Sequence, residues 1–472
     1  MSTSWGLKLA SALLALNTSL AFASSQQNQS LTAHQQLGRD IYRQLIEINT
    51  THSVGSTTDA AKAMAARLRD AGIPAEDIRL FEPHPGKGNL VVRFRGSGQL
   101  KPILLLAHLD VVEALESDWS FDPFQFREQD GYFYGRGTAD DKAMAAIWVA
   151  NLIRYKREGF TPARDIIVAL TADEEGGDHN GVDWLLRNHR ELIEAEYALN
   201  EGGEGELRDG RRIVNEIQAS EKVYQTFHLR VTNPGGHSSV PTKDNAIYHL
   251  SEGLTRLAAY DFPVVLNEIT AAYFDRMSKI ESGEVGRAMA AVVKDPGNTG
   301  AVRELSHSPY FNALLRTTCV ATMLDAGHAE NALPQTANAT VNCRVLPGES
   351  IDEVERTLVR VLDDPAIKVT RIGVARPSDP SPLTPELVAT AERITDEMWP
   401  GVGVLPTMVT GATDGLYLRN AGIPTYGLSG IFLDMDDLRM HGKDERVSVK
   451  SFYDGLEFLY RVVKSLSSGP SS

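Results

Sequence analysis

The sequence predicts an α/β fold: a mixed central sheet flanked by helices, with a smaller α+β unit inserted into it. Three observations carry that prediction. Residues 103–107 and 166–171 are continuous apolar runs, which suit strands buried on both faces. Between them Met144, Ile147, Trp148, Leu152 and Tyr155 recur mostly at three- and four-residue steps, a helical period. After about Glu221 the pattern turns to period-two alternation, as in a sheet with one wet face.

Taken in order, 32–48 and 60–71 read as amphipathic helices, the second ending at Gly72. A strand at 89–94 precedes the run that ends in His108. The helix at 143–155 is stopped by Gly159 and Pro162. The next two strands end before Asp173-Glu174-Glu175 and, at 197–199, before Glu201. Alternating strand and helix is the mark of a layered α/β domain. Strand-like runs at 224–232, 316–324 and 337–346, with helical stretches at 245–259 and 351–362, make up the insertion. Residues 261–309 are weakly patterned and read as partly helical. Pro377, Pro380, Pro382 and Pro385 mark the return, followed by a helix at 385–398 and a glycine-rich segment at 411–430. The expected division is 31–220 and 373–468 for the larger domain and 221–372 for the inserted one.

A chain of 472 residues with 42% hydrophobic content is large enough for two cores. Its formal charge of -15 is the wrong sign for a nucleic-acid binder. Lys8, the apolar stretch 7–22 and Ala21-Phe22-Ala23 read as an export signal over residues 1–23. The alternative, an N-terminal anchor, suffers from the shortness of the run, and no other segment suits a bilayer. The protein is therefore expected to be exported, periplasmic or secreted, with no stable membrane partner. Cys319 and Cys343 both fall in strand-like runs, and either a cross-strand bond or two buried thiols fits. Neither has zinc-finger spacing, so any metal must be held by His, Asp and Glu.

The chemistry lies at strand ends. His108, Asp140, Glu174, Glu175 and Glu201 each sit at or just past a predicted strand, or at the start of the next helix. Ligands of open α/β sheets bind in the crevice at the carboxyl ends of the strands. One imidazole among several carboxylates there calls for cations, and zinc suits that donor mixture, with cobalt or manganese as substitutes. Each signal has a plain alternative: Asp140-Asp141 as a helix cap, Glu174-Glu175 as a solvated loop, His441-Gly442 as an ordinary turn.

The combination His108-Leu109-Asp110, Gly135-Arg136-Gly137-Thr138-Ala139-Asp140-Asp141-Lys142, Asp173-Glu174-Glu175-Gly176-Gly177, Asn200-Glu201-Gly202-Gly203 and His441-Gly442-Lys443-Asp444-Glu445-Arg446 resembles the M20 metallopeptidases. The run 118–124 is similar to the carboxypeptidase S and N-acyl-amino-acid hydrolase branch. The resemblance implies a zinc-peptidase-like catalytic domain and an inserted lid or dimerisation domain. It implies two Zn2+ per subunit bridged by Asp140, one completed by His108 and Glu201, the other by Glu175 and His441. Glu174 would be the general base, and Asp110 a carboxylate orienting His108. Asp140-Asp141 would be joined by a cis peptide. His237, in Gly235-Gly236-His237-Ser238-Ser239, would stabilise the oxyanion from a partner subunit, which implies a homodimer. Asn331, Arg344 and Gly411 match substrate-holding positions, Arg344 gripping a terminal carboxylate. Asp414 departs from the serine often found nearby in that family, which leaves the work of its loop open. The implied activity is hydrolysis of an amide or peptide bond next to a free carboxylate, as a carboxypeptidase or dipeptidase, with N-acyl-amino-acid deacylation as the alternative. A non-catalytic binding protein on the same fold would be expected to have lost a ligand or the base, and this sequence keeps them all.

Overall fold

The computed structural model describes residues 30–469. A ten-stranded mixed sheet forms its centre, in the order Ile78–His84, Lys87–Phe94, Ile166–Thr171, Ile103–His108, Tyr197–Asn200, Thr425–Gly427, Arg211–Glu221, Gly205–Arg208 and Phe432–Asp434, with Gly403–Val409 pairing alongside Arg211–Glu221. The α/β class and the mixed central sheet are as the sequence predicts. Strand Ile103–His108 runs parallel to Ile166–Thr171 and to Tyr197–Asn200, and Tyr197–Asn200 parallel to Thr425–Gly427. Four strand ends therefore open onto one edge of the sheet.

Both central runs are buried at every position. Alternate side chains serve opposite cores, as the pleat requires. Ile103, Leu105 and Ala107 join the larger core with helix Lys142–Glu158. Leu104 and Leu106 face a second cluster with Val182, Leu185 and Leu418. Helix Lys142–Glu158 ends at Gly159 in the left-handed region, a glycine C-cap.

The insertion is a four-stranded antiparallel sheet, ordered Thr318–Ala326, Thr336–Val345, Val223–Thr232 and Lys368–Ile372. Strand Thr336–Val345 alternates strictly, with Ala337, Ala339, Val341, Cys343 and Val345 turned inward beneath helices Ala246–Ala258 and Ile351–Leu362. Cys319 and Cys343 are directly opposite in register and joined by a disulfide, with Cα atoms 4.1 Å apart. The thiol alternative is thereby set aside.

The stretch 261–309 is more ordered than its sequence pattern suggests. Helices Glu268–Met277, Gly283–Lys294, Thr299–Leu305 and Pro309–Leu315 cover this region, and their apolar faces join the larger core rather than that of the four-stranded sheet. Among the described residues no helix is long and apolar enough to cross a membrane. The expected export signal, 1–23, lies outside the described residues.

Candidate metal centre and active site

His108 closes its strand with a side chain 1% exposed. Its Nδ1 lies 3.0 Å from the Asp110 carbonyl oxygen, so Nδ1–H donates there and Nε2 faces the crevice. The Asp110 carboxylate, expected to orient His108, is 3.7 Å away at its nearest oxygen. It accepts from the backbone N–H groups of Glu174, at 3.2 Å, and Glu175, at 2.9 Å. Asp110 thus does more than the expectation holds: its carbonyl accepts from the imidazole, and its carboxylate, within ion-pair reach of the ring, also sets the turn that carries the two glutamates. Asp173, buried and in the left-handed region, anchors the same turn through Lys87 Nζ at 2.5 Å.

Asp140 stands where the loop enters helix Lys142–Glu158, and its peptide to Asp141 is cis. Its two carboxylate oxygens divide between two histidines. Oδ1 is 2.9 Å from His108 Nε2, and Oδ2 is 3.0 Å from His441 Nε2. Glu201 Oε2 lies 3.3 Å from His108 Nε2, and Glu175 Oε1 lies 2.9 Å from His441 Nε2. Glu201 is held by the turn that follows it: a Cβ on Gly203, at φ +63°, would stand 2.2 Å from the Gly427 carbonyl oxygen. His108, Asp140, Glu175, Glu201 and His441, drawn from five separate chain segments, thus meet at one place.

The loop bearing Asp140 is fixed by a buried carboxylate. Glu445 accepts from the N–H groups of Ala139 at 2.7 Å and Gly137 at 3.2 Å, and from Arg136 Nη1 at 2.6 Å. Asp414, 2% exposed, accepts from Asn180 Nδ2 at 2.6 Å. Neither Glu445 nor Asp414 was picked out as a site residue from sequence. Glu445 lies inside the motif that begins at His441 and Asp414 stands in the glycine-rich segment 411–430, but a buried acid looks the same in sequence as a surface one.

The electrostatics are strained without a cation. Burial, opposed by His108, pushes Glu201 up to about 8. Burial and the neighbouring Glu201 raise Glu174 well above the usual carboxylate range. Burial also raises Glu175 and Asp141, and lifts Asp414 to about 7. Only Asp140 falls, because its bonds to both imidazoles outweigh its burial. His441 is pushed up to about 10 by its bonds to Asp140 and Glu175. Carboxylates crowded at this density ionise together only if positive charge is supplied.

The donor set fits such a cation. Ligand atoms of His108, Asp140 and Glu175, and of His108, Asp141 and Glu201, lie within 4.8 Å of one another. Glu201 Oε1 and Asp141 Oδ2 are buried with no hydrogen-bond partner among the described residues, unusual for buried polar atoms unless a ligand completes them. Asp141 thus joins the group beside His108, a place the sequence had given to Asp140 and Glu201.

The other predicted residues lie elsewhere. His237 is exposed, in a short strand paired with Ala332–Leu333, and Ser239 Oγ contacts its Nδ1 at 2.8 Å. Asn331 is exposed and its carbonyl accepts from Ser238 N–H at 3.1 Å. Arg344 is half-buried, its guanidinium 4.7 Å from the centre of the Tyr224 ring, with no carboxylate partner among the described residues. Gly411 lies in the loop ahead of Thr413 and Asp414, both of which are buried near the cluster.

Fold and cluster together define a hydrolytic enzyme of the metallopeptidase class. The chain belongs to peptidase family M20/M25/M40, whose sequence profile matches residues 104–465. It is 31% identical over 388 residues to the Dictyostelium discoideum protein named probable carboxypeptidase S-like 2, covering 80% of this chain and 74% of that one. It is 29% identical over 376 residues to the N-fatty-acyl-amino acid synthase/hydrolase PM20D1 of Xenopus tropicalis, covering 78% and 72%. In fold it is similar to an M20 family metallo-carboxypeptidase from Sulfolobus solfataricus, with TM-score 0.69, 17% identity and coverage of 90% and 98%.

Proposed function

We propose that the protein is a two-zinc amidohydrolase that cleaves a peptide or amide bond on the acyl side of a residue with a free carboxylate. The observation that carries the reading is the division of Asp140 between His108 and His441, a geometry suited to bridging two cations. His108 and Glu201 would hold one ion, with Asp141 close by, and His441 and Glu175 the other. When bound, two divalent cations supply Lewis acidity toward the water and the scissile carbonyl.

The protein's own groups do the rest. The Glu174 carboxylate, raised in pKa and without a hydrogen-bond partner for its side chain among the described residues, takes the proton from the attacking water and returns it to the leaving nitrogen. Arg344, without a carboxylate of its own, grips the terminal carboxylate of the substrate bidentately. Asn331 and the loop at Gly411 hold the substrate on either side of the scissile bond. His237, whose Nδ1 faces Ser239, keeps Nε2–H free to donate to the developing oxyanion. It would do so across a homodimer in which residues 221–372 act as lid and contact surface.

Between a carboxypeptidase or dipeptidase and an N-acyl-amino-acid deacylase, the two relatives named above divide: one is named for a carboxypeptidase and one for an N-fatty-acyl-amino acid synthase/hydrolase. We also propose export, which the disulfide supports, because such bonds persist in oxidising compartments. A hydrolysis screen of dipeptides against N-acyl amino acids, with chelator and with zinc restored, tests the class and the substrate together. Activity that survives complete metal removal would reject the metal-dependent reading.

A further inference from the structure

Behind the cluster the crevice continues into the larger domain. A cavity of about 170 Å³ is lined by Asp140, Asp141 and Glu201 on one side and by Glu204, Gln218 and Met440 on the other. It shares Glu204, Gln218, Val409, Leu433 and Met440 with a second cavity of about 150 Å³. A space of that size admits a group as large as benzene. Tyr310, on helix Pro309–Leu315, lines the second cavity, so the helical stretch after residue 261 helps to shape it.

The lining of the second cavity is one-sided in charge. Glu204, Glu206 and Glu216 face it, and among the described residues no Lys, Arg or His lines it. Glu206 is matched by Arg208 at 2.5 Å, whereas Glu204 and Glu216 have no ion-pair partner among the described residues. Burial and the neighbouring Glu204 and Glu206 lift Glu216 to about 8, a cost that a positive guest would relieve. A second observation points the same way. Gln218 lines both cavities and is 3% exposed, and Thr407, also 3% exposed, lines the second cavity with an Oγ1 that has no hydrogen-bond partner among the described residues. Buried polar atoms are rarely left so unless a ligand completes them. The rest of the wall is largely apolar, interrupted by Thr407 and Thr410, with the partly exposed Met435, Leu438 and Met440 at the mouth. An aliphatic stem ending in a cation matches that sequence of surfaces.

We propose that this cavity is the acyl-side subsite, and that it selects substrates whose acyl group carries an ammonium or guanidinium at the end of an aliphatic stem, held by Glu204, Glu216 and Gln218. The proposal rests on the amidohydrolase reading for its orientation, with the free carboxylate at Arg344 and the acyl group beyond the cluster.

The test compares 6-aminohexanoyl-alanine with hexanoyl-alanine on the zinc-loaded full chain, and in parallel the binding of 6-aminohexanoate and hexanoate by calorimetry. The expected kcat/KM ratio favours the amino compound by about tenfold or more, and Glu216→Gln brings it down toward unity. 6-Aminohexanoate should bind more tightly than hexanoate by a similar factor. Equal kcat/KM values, a preference for hexanoyl, or a ratio that Glu216→Gln leaves unmoved would overturn the subsite. If neither amide turns over while 6-aminohexanoate still binds preferentially, the subsite stands and the hydrolytic assignment falls. The parent chain's own ratio and the calorimetry do not depend on the folding of the variant.

Discussion

The two histidines that face Asp140 sit in very different settings. His108 ends a central strand, is 1% exposed, and has its tautomer fixed by a backbone carbonyl. His441 lies on a loop, in the left-handed region, with its side chain 53% exposed and, among the described residues, held by Asp140 and Glu175 alone. Glu201 likewise follows a strand directly, whereas Glu175 hangs on a turn braced by Asp110 and Asp173. One half of the centre is built on the sheet and the other on loops. In the proposed two-ion centre the half-site on loops should give up its ion more readily, because it must be ordered when the ion binds.

Four outcomes sharpen or break that contrast. The largest belongs to the group serving both halves. Glu174→Ala should lower kcat by roughly 10²- to 10⁴-fold while the metal content stays that of the parent, read by steady-state kinetics beside elemental analysis. Loss of metal in that variant would make Glu174 a ligand instead. Next comes the buried support: Glu445→Ala strands Arg136 and the N–H groups of Gly137 and Ala139, and should destabilise the fold by about 3–5 kcal/mol in urea titrations. A change under about 1 kcal/mol would mean that the loop finds other partners. Smaller, and confined to substrate binding, is Arg344→Ala. It should reduce kcat/KM by roughly 10- to 100-fold for substrates with a free carboxylate and have little effect on their amides.

The last outcome is a pH dependence of the metal-free protein. His441 rises from 6.5 to about 10 through Asp140 and Glu175, and Glu201 rises from 4.5 to about 8 through burial. In both cases the folded chain binds more protons than the unfolded one. The stability they contribute is present at low pH and is lost as pH rises, between about 4.5 and 8 for Glu201 and about 6.5 and 10 for His441. Thermal melts in chelator should therefore fall in Tm from pH 6.5 to pH 10, and zinc should flatten that slope. Equal slopes with and without zinc would separate these groups from the metal.

What the sequence made legible follows the same division. His108 and Glu201 are legible because apolar runs end at or just before them. Strand Arg211–Glu221 is not legible in the sequence, although it lies within the main sheet. Its Arg211, Arg212, Asn215, Glu216 and Gln218 break any apolar run, and the burial of several polar positions there shows only in three dimensions. The work of Asp110 was half legible: its place in the motif marked it, but sequence could not tell a carboxylate that orients an imidazole from one that orders two backbone N–H groups. The helices after residue 261 were obscured because their apolar faces are short and meet the larger core from within the insertion.

Elemental analysis of the purified, zinc-reconstituted chain, set beside His441→Ala, tests the paired-cation centre most directly. Two zinc ions per chain are expected in the parent and one in the variant, the remaining ion staying with His108 and Glu201. One ion per chain in the parent, or two in the variant, would contradict it.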